Sequence, residues 1–256
     1  MTYRTDLWLF FAGLLASSVN AAAGGGTLLS FPSLLAAGLS PIAANATSTV
    51  GLVPGYLAAL AGYRTDLRAL RRDALRAIAP SVVGGALGAW LLLHLGGAVF
   101  ARVVPALLIV SAALLLLNPP ISRALQRSKA RFDSPAAVFA ANFVIALYAG
   151  YFGAGAGILF LAAMGLLMKR DLGQVNALKV VVSLIANLVA AATLVLLELR
   201  HPTGALVFRA DLPLALGALG GGYLGVRLVR RLPPAALRGF AAAVGVAIAL
   251  YLVFRR

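Results

Sequence analysis

Apolar residues follow one another in long runs from Leu7 to Phe254, and polar residues gather in short intervals between the runs. Hydropathy along the chain predicts helical segments at roughly 7–23, 25–38, 41–63, 74–95, 98–117, 136–152, 155–168, 173–198, 207–228 and 236–254. A full crossing of a bilayer needs about 20 apolar residues. The second and seventh segments are shorter than that, so each reads as a half-helix or a re-entrant piece. Each follows a glycine run, "GGG" at Gly24–Gly26 and "GAGAG" at Gly153–Gly157. Unpaired backbone amides are costly in hydrocarbon, so a helix break there needs a use.

The two short segments occupy corresponding places. A shift of 131 lays Gly24, Gly26, Leu28, Leu35 and Asn45 over Gly155, Gly157, Leu159, Leu166 and Asn176 without a gap. A shift of 133 lays Arg76, Pro80, Gly84 and Gly88 over Arg209, Pro213, Gly217 and Gly221. Ser40 before Pro41 reads as an N-cap with proline at the first helical position. Its counterpart Asp171, three residues before Gln174, reads as a capping box. The chain therefore divides into a first repeat, 1–117, a basic cytoplasmic connector, 118–135, and a second repeat, 136–256, within one transmembrane domain. If every segment crosses, the repeats are inverted, the preferred arrangement; if the short ones are re-entrant, they are parallel. Gly84, Gly88, Gly217 and Gly221 read as packing positions between helices.

A helix starting at Gly25–Thr27 presents free N–H groups and the positive end of its dipole. Near the middle of a membrane this makes an anion site from backbone, and glycine lets the anion approach. The run Gly153, Gly155 and Gly157 supplies a second such start. Gly-interrupted short segments in two halves are the sequence pointer to a transporter's binding site. Asn176, Lys179, Ser183 and Asn187 share one helix face. The first repeat offers Asn45, Thr47, Ser48 and Thr49 at the matching place, with Tyr56 opposite Asn187. Lys179 has two readings. It snorkels to the surface on its long stem, or it is a lone cation among amides and hydroxyls that binds an anion. Asn20, just before the glycines, is a further candidate or simply a partner for the broken backbone.

Composition sharpens this picture. Of 256 residues, 62% are hydrophobic and 11% charged, against about 25% charged in soluble domains. The formal net charge is +15, but the arginines cluster in short loops, as at Arg64–Arg76, Arg123–Arg131 and Arg230–Arg231, which is the positive-inside pattern rather than a nucleic-acid footprint. There is no cysteine, which excludes disulfides and thiolate chemistry. Arg4, Leu7–Leu15 and "SSVNAAA" resemble a signal peptide, but the stretch has a counterpart later in the chain and reads as part of the protein. The acids Asp6, Asp66, Asp73, Asp133, Asp171, Glu198 and Asp211 fall at or near segment ends, so no carboxylate relay or sodium cage is expected. His94 and His201 read as interfacial. No nucleophile–base pair or metal motif is found, so neither an enzyme nor a cofactor is expected.

The stretches "AAAGGGTLLSFPSLLAAGLSPIAANATSTV" and "GYFGAGAGILFLAAMGLLMKRDLGQVNALKVVVSLIANLVAA" resemble the TauE/SafE family of sulfite and organosulfonate exporters, over nearly the whole chain. Carried over, the motifs fall on Gly24–Gly26, Pro32, Asn45, Thr47 and Ser48, and on Gly153, Gly155, Gly157, Asn176 and Lys179. The chain is similar to the branch in which "NALK" replaces an Ala-Thr-Ser in the second repeat. The resemblance implies a multi-pass permease of the bacterial inner membrane for small sulfur-containing anions, with protons as coupling ion. The expectation is an all-α integral membrane protein, a polytopic bundle of about 8–10 membrane segments. It moves a small anion, sulfite or an organosulfonate, by alternating access; an anion channel or a non-transporting membrane assembly factor are the alternatives.

Overall fold

The computed structural model describes residues 2–61, 70–127, 134–228 and 234–254, and among them every regular element is helical. Parts of three expected basic loops, with Arg64, Arg68, Lys129, Arg131, Arg230 and Arg231, and the acids Asp66 and Asp133, lie outside the described residues. The helices are α1 (Tyr3–Ala23), α2 (Thr27–Ala36), α3 (Pro41–Gly51), α4 (Val53–Leu60), α5 (Arg71–Arg127), α6 (Pro135–Tyr151), α7 (Ala156–Leu167), α8 (Leu172–Arg200), α9 (Phe208–Leu228) and α10 (Pro234–Phe254).

Two boundaries differ from the hydropathy reading. The third segment is divided at Leu52 into α3 and α4, where Pro54 in the first turn of α4 removes a backbone donor. The fourth and fifth segments join as α5, which turns at Gly96 in a positive-φ conformation (φ 79°, ψ 168°) open to a residue without Cβ. The second limb of α5 runs on to Arg127, so the first ten residues of the expected connector are helical. Caps form as their residues require. Ser40 accepts from the Ala43 N–H at 3.4 Å, Ser134 from Ala137 at 3.4 Å, and Asp171 from Gln174 at 2.9 Å.

The arrangement of the helices follows from their contacts. α1 and α2 form an antiparallel hairpin, with the Trp8 indole N–H pointing to the Ser33 carbonyl at 3.4 Å. α1 runs parallel to α9: a Cβ at Gly217 would strike the Phe10 carbonyl, and one at Gly221 the Leu14 carbonyl. The first limb of α5 runs parallel to α6 by the same device: a Cβ at Gly84 would strike the Phe143 carbonyl, and one at Gly88 the Leu147 carbonyl. Each residue of the first seam stands 133 positions from its counterpart in the second. Backbone lies on backbone in both seams, because only glycine lets helices approach so closely.

The ends of the bundle are set by polar ties. Arg170, just before α8, donates to Asp73 at the start of α5 at 2.9 Å, so these helices begin at the same end. Ser134 and Pro135 line a cavity with Asp73 and Arg170, which puts the start of α6 there too. α8 has 29 residues and is about 43 Å long. Beyond it, the Glu198 carboxylate collects the N–H groups of Thr203 and Gly204 and the Thr203 hydroxyl, and Val207 donates to Thr47 on α3. α9, and with it α1, begins at that far end. α1 and α6 thus run in opposite directions.

Two large apolar clusters and a small one fill the interior of the described residues. The largest joins α1–α3, α5 and α7–α10 around edge-packed Phe31, Phe100 and Phe152; the second joins α5–α8 through Phe160, Met164 and Val182; the third holds Ala21, Ala59 and Val180. The outside is apolar as well: Phe11, Val83, Val144, Leu196 and Leu212 are each more than half exposed. Two described helices, Arg71–Gln126 and Leu172–Arg200, are long and apolar enough to cross a bilayer. A surface so rich in exposed large side chains needs hydrocarbon rather than water around it.

The glycine seams give a direct test. Gly88→Val places a side chain against the α6 backbone and should cost about 1–3 kcal/mol or more, seen as a lower midpoint in thermal unfolding. Gly239→Ala, where nothing stands within 4 Å, should be neutral or stabilising by up to about 1 kcal/mol.

Candidate functional site

The two glycine runs meet inside the molecule, at Gly24 and Gly157. α1 stops at Ala23, and Gly24 takes the left-handed conformation (φ 79°, ψ 22°) with its N–H on the Asn20 carbonyl at 3.0 Å. α2 begins after Gly26. On the other side α6 stops at Tyr151, Gly153 and Gly155 have φ of 80° and 78°, and α7 begins at Ala156. A Cβ built on Gly24 would lie 3.1 Å from the Gly157 Cα, and one on Gly157 would lie 3.2 Å from the Gly24 Cα. The two backbones are therefore in contact. A Cβ on Gly157 would also lie 3.2 Å from Cδ of Lys179, so the lysine stem lies across this glycine.

Lys179 is 2% exposed, and its Nζ has no hydrogen-bond partner. The side chain does not snorkel; the ammonium stays inside. It borders a small cavity shared with Asn20, Gly24, Tyr56, Ser183 and Ser17, with only about 10 Å³ open to the centre of a water molecule. That is about the room one water needs. Every polar group lining it apart from the lysine is a neutral hydroxyl or amide, and no carboxylate is among the lining residues. Such a set can donate several hydrogen bonds and one charge to an anion, and it has no negative group to repel one.

The other expected residues stand elsewhere. Gly25 packs against Leu115, and Gly26 against the Ala16 carbonyl. Thr27 opens α2 and is buried. The polar residues of α3 hold the fold together. Asn45 donates to the Tyr151 carbonyl at 2.8 Å, Thr47 accepts from Val207 at 3.2 Å, Ser48 meets Ser30 at 2.6 Å, and Thr49 donates to the Asn45 carbonyl at 3.0 Å. They do not line the Lys179 cavity. Helical spacing put the α8 stripe on one face, but only Lys179 and Ser183 of it border the cavity. Asn187 donates back to the Ser183 carbonyl at 2.8 Å, and Asn176 lies outside the lining.

Hydropathy gave no notice of the residues that pin the second glycine run. The Ala154 carbonyl, between Gly153 and Gly155, accepts from the Tyr148 hydroxyl at 2.6 Å and the Ser111 hydroxyl at 2.7 Å. Ser111 comes from the second limb of α5 and Tyr148 from α6, so two helices converge on one peptide. Tyr56 was legible only as the residue opposite Asn187, yet it closes the cavity with Asn20.

A family model described as "Sulfite exporter TauE/SafE" matches residues 9–252. The "Probable membrane transporter protein YfcA" of Escherichia coli is 29% identical over 222 residues, 86% of this chain and 79% of that protein. A "Probable membrane transporter protein" of Haemophilus influenzae is 26% identical over 221 residues, 86% of this chain and 84% of its own length. The "Probable membrane transporter protein ORF9" of a Sinorhizobium species is 28% identical over 179 residues, covering 69% of this chain and 66% of that one. No solved structure matches.

The clamp on Ala154 is open to measurement. Tyr148→Phe should lower stability by about 1 kcal/mol, the net worth of one hydrogen bond. It should also speed hydrogen–deuterium exchange across residues 153–156, and exchange unchanged from wild type would remove the clamp from the account.

Proposed function

The chain belongs to the sulfite exporter TauE/SafE family of membrane transporters, and on that premise we propose that it is a secondary transporter for a small anion, sulfite or an organosulfonate, working by alternating access in the bacterial inner membrane. The observation that carries the reading is Lys179: a buried ammonium without a protein partner. Burying a charge unpaired is expensive. A bound anion removes that cost at a place where hydroxyl and amide groups line the same cavity. Gly24, where α1 stops, borders the same cavity, and the starts of α2 and α7 follow within a few residues of the Gly24–Gly157 contact. In the full reading Asn20, Gly24, Lys179 and Ser183 line the substrate site and Gly157 carries the lysine stem, with Gly25, Gly26, Thr27, Gly153, Gly155, Asn45, Thr47, Ser48, Thr49, Asn176 and Asn187 supporting the broken helices around it.

The repeat reading is supported by the seams. Gly84 and Gly88 of α5 pack on α6, and Gly217 and Gly221 of α9 pack on α1, the same kind of contact with sequence partners 133 residues apart. The opposite directions of α1 and α6 favour inverted repeats, the usual build of transporters whose site lies between them. The cavity at Lys179 is too small for an oxyanion as it stands, which fits a closed state that must open to load.

Uptake into proteoliposomes tests the reading. With sulfite, taurine, sulfoacetate and sulfate offered in turn, Lys179→Ala should weaken binding of the transported anion about 30-fold or more, the cost of losing one partner of a buried charge pair. Unchanged affinity would remove Lys179 from the site. Flux that does not saturate, or that never drives accumulation, would make the protein a channel.

A further inference from the structure

A second cavity, of about 440 Å³, lies at the end where α5, α6 and α8 begin, with the Arg170–Asp73 ion pair at its rim. Phe160 and Met164 of α7 and Leu178 of α8 line it and are buried, so they form its deep wall. The lysine cavity lies just behind that wall. Phe160 stands three residues after Gly157, on the same face of α7, and Gly157 is where the Lys179 stem rests. Leu178 lines the large cavity while Lys179, the next residue of α8, lines the small one. Three residues of helix rise about 4.5 Å. The partition between the two spaces is therefore a single layer of side chains, with Phe160 and Leu178 in it.

The walls of the large cavity differ in what can move. α6 is tied to α5 at Asn142, whose amide nitrogen donates to the Ala77 carbonyl at 3.1 Å and the Ser81 hydroxyl at 3.2 Å. On the α7 side the lining includes Met164 and Met168, the only methionines of the chain besides Met1. Methionine is unbranched and refits itself to a neighbour that changes place. A ring in a close-packed interior has nowhere to turn, but Phe160 has open space beside it. Two positions follow for the ring: across the partition, or swung into the cavity. In the first, an apolar layer keeps water and ions from the ammonium, as a dewetted constriction does. In the second, the Lys179 site opens into the cavity, whose rim carries the exposed Lys169 and Arg170.

We propose that Phe160, backed by Leu178, is the gate between the Lys179 site and the end where α8 begins, and that the large cavity is the vestibule it opens into. The inference rests on the transport reading for what passes, and it assigns how that site is reached from one end. The gate works by turning a side chain, so both glycine seams and the ties at Asn142 stay intact while it opens.

The chain has no cysteine, so a single introduced thiol reports access. Ser183→Cys places one in the Lys179 cavity. Lys169→Cys, at an exposed position before α8, marks the membrane face that the vestibule meets. The probe is membrane-impermeant 2-sulfonatoethyl methanethiosulfonate, added to vesicles of each orientation. A gate open in a minor state of about 0.1–10% makes Ser183→Cys slow to label. Adding Phe160→Ala should speed labelling about tenfold or more from the face that labels Lys169→Cys, and not from the other. Phe160→Leu, a milder change to the fold, should give an intermediate rate, and Phe160→Trp a rate below that of Ser183→Cys alone. Phe100→Ala, at another fully buried ring, should leave the rate unchanged. Labelling that does not rise with Phe160→Ala and Phe160→Leu, rises equally from both faces, or rises as much with Phe100→Ala would overturn the gate. The readout needs no transport. Gated labelling with anion affinity indifferent to Lys179→Ala would keep the gate and remove the transport site; transport lost in Lys179→Ala with labelling indifferent to Phe160 would do the reverse.

Discussion

Where Gly24 meets Gly157, two stretches of main chain approach to near van der Waals contact because neither residue has a Cβ. Three consequences follow from that approach. α1 and α6 both end inside the molecule rather than at its surface, so α2 and α7 must start there. The space over Gly157 is left to the stem of Lys179, which any side chain at 157 would displace. And the lysine, carried inward by this packing, ends among Asn20, Tyr56 and Ser183 with no group of opposite charge beside it. A methyl group at either glycine would push at all three. Composition alone explains why the protein sits in hydrocarbon, whereas this contact explains why a cation can be held there.

Much of this was legible before any coordinates. The glycine runs fall where helices stop, since a run of residues with maximal backbone freedom inside apolar sequence has few other uses. Lys179 stood out because a charge within an apolar run is expensive and rare. Gly84 and Gly88, which the shift of 133 pairs with Gly217 and Gly221, press on α6 while the other two press on α1. Other features could not be read. Asn45, Thr47, Ser48 and Thr49 look like ligands in one dimension, but their partners are Tyr151, Val207 and Ser30, distant or differently placed in sequence. Ser111, Tyr148 and Asn142 are ordinary residues in apolar helices until the fold sets a carbonyl or a cavity next to them. The division at Leu52 and the turn at Gly96 escaped hydropathy because both lie in sequence that is apolar on either side. Hydropathy reports the solvent a segment prefers and is blind to its internal bends.

The seams also change what can move. The sequence repeats invite a picture in which residues of the first half rock against residues of the second. The packing divides the molecule otherwise. α1 lies on α9, from the other half, and α3 and α4 pack along the same helix, with Gly51 beside Asp211 and Gly55 beside Ala218. The first limb of α5 lies on α6 and on α8, with Gly85 against the Ala186 backbone. Each group is sealed by backbone-to-backbone contact, which gives way as a block because there are few side chains in it to rearrange. Two glycine-packed groups result, each built from both halves of the chain, and they share the largest apolar cluster and the Asn45–Tyr151 hydrogen bond. Gly24 belongs to one, Gly157 and Lys179 to the other. A rocking motion between these groups would part Gly24 from Gly157 and widen the space around the ammonium while leaving both glycine seams intact. Motion between the sequence halves would have to break the seams first. The surface between the two groups passes through the Lys179 cavity, with Gly24 on one side and Lys179 on the other, which is where the proposed transport cycle would have to open it.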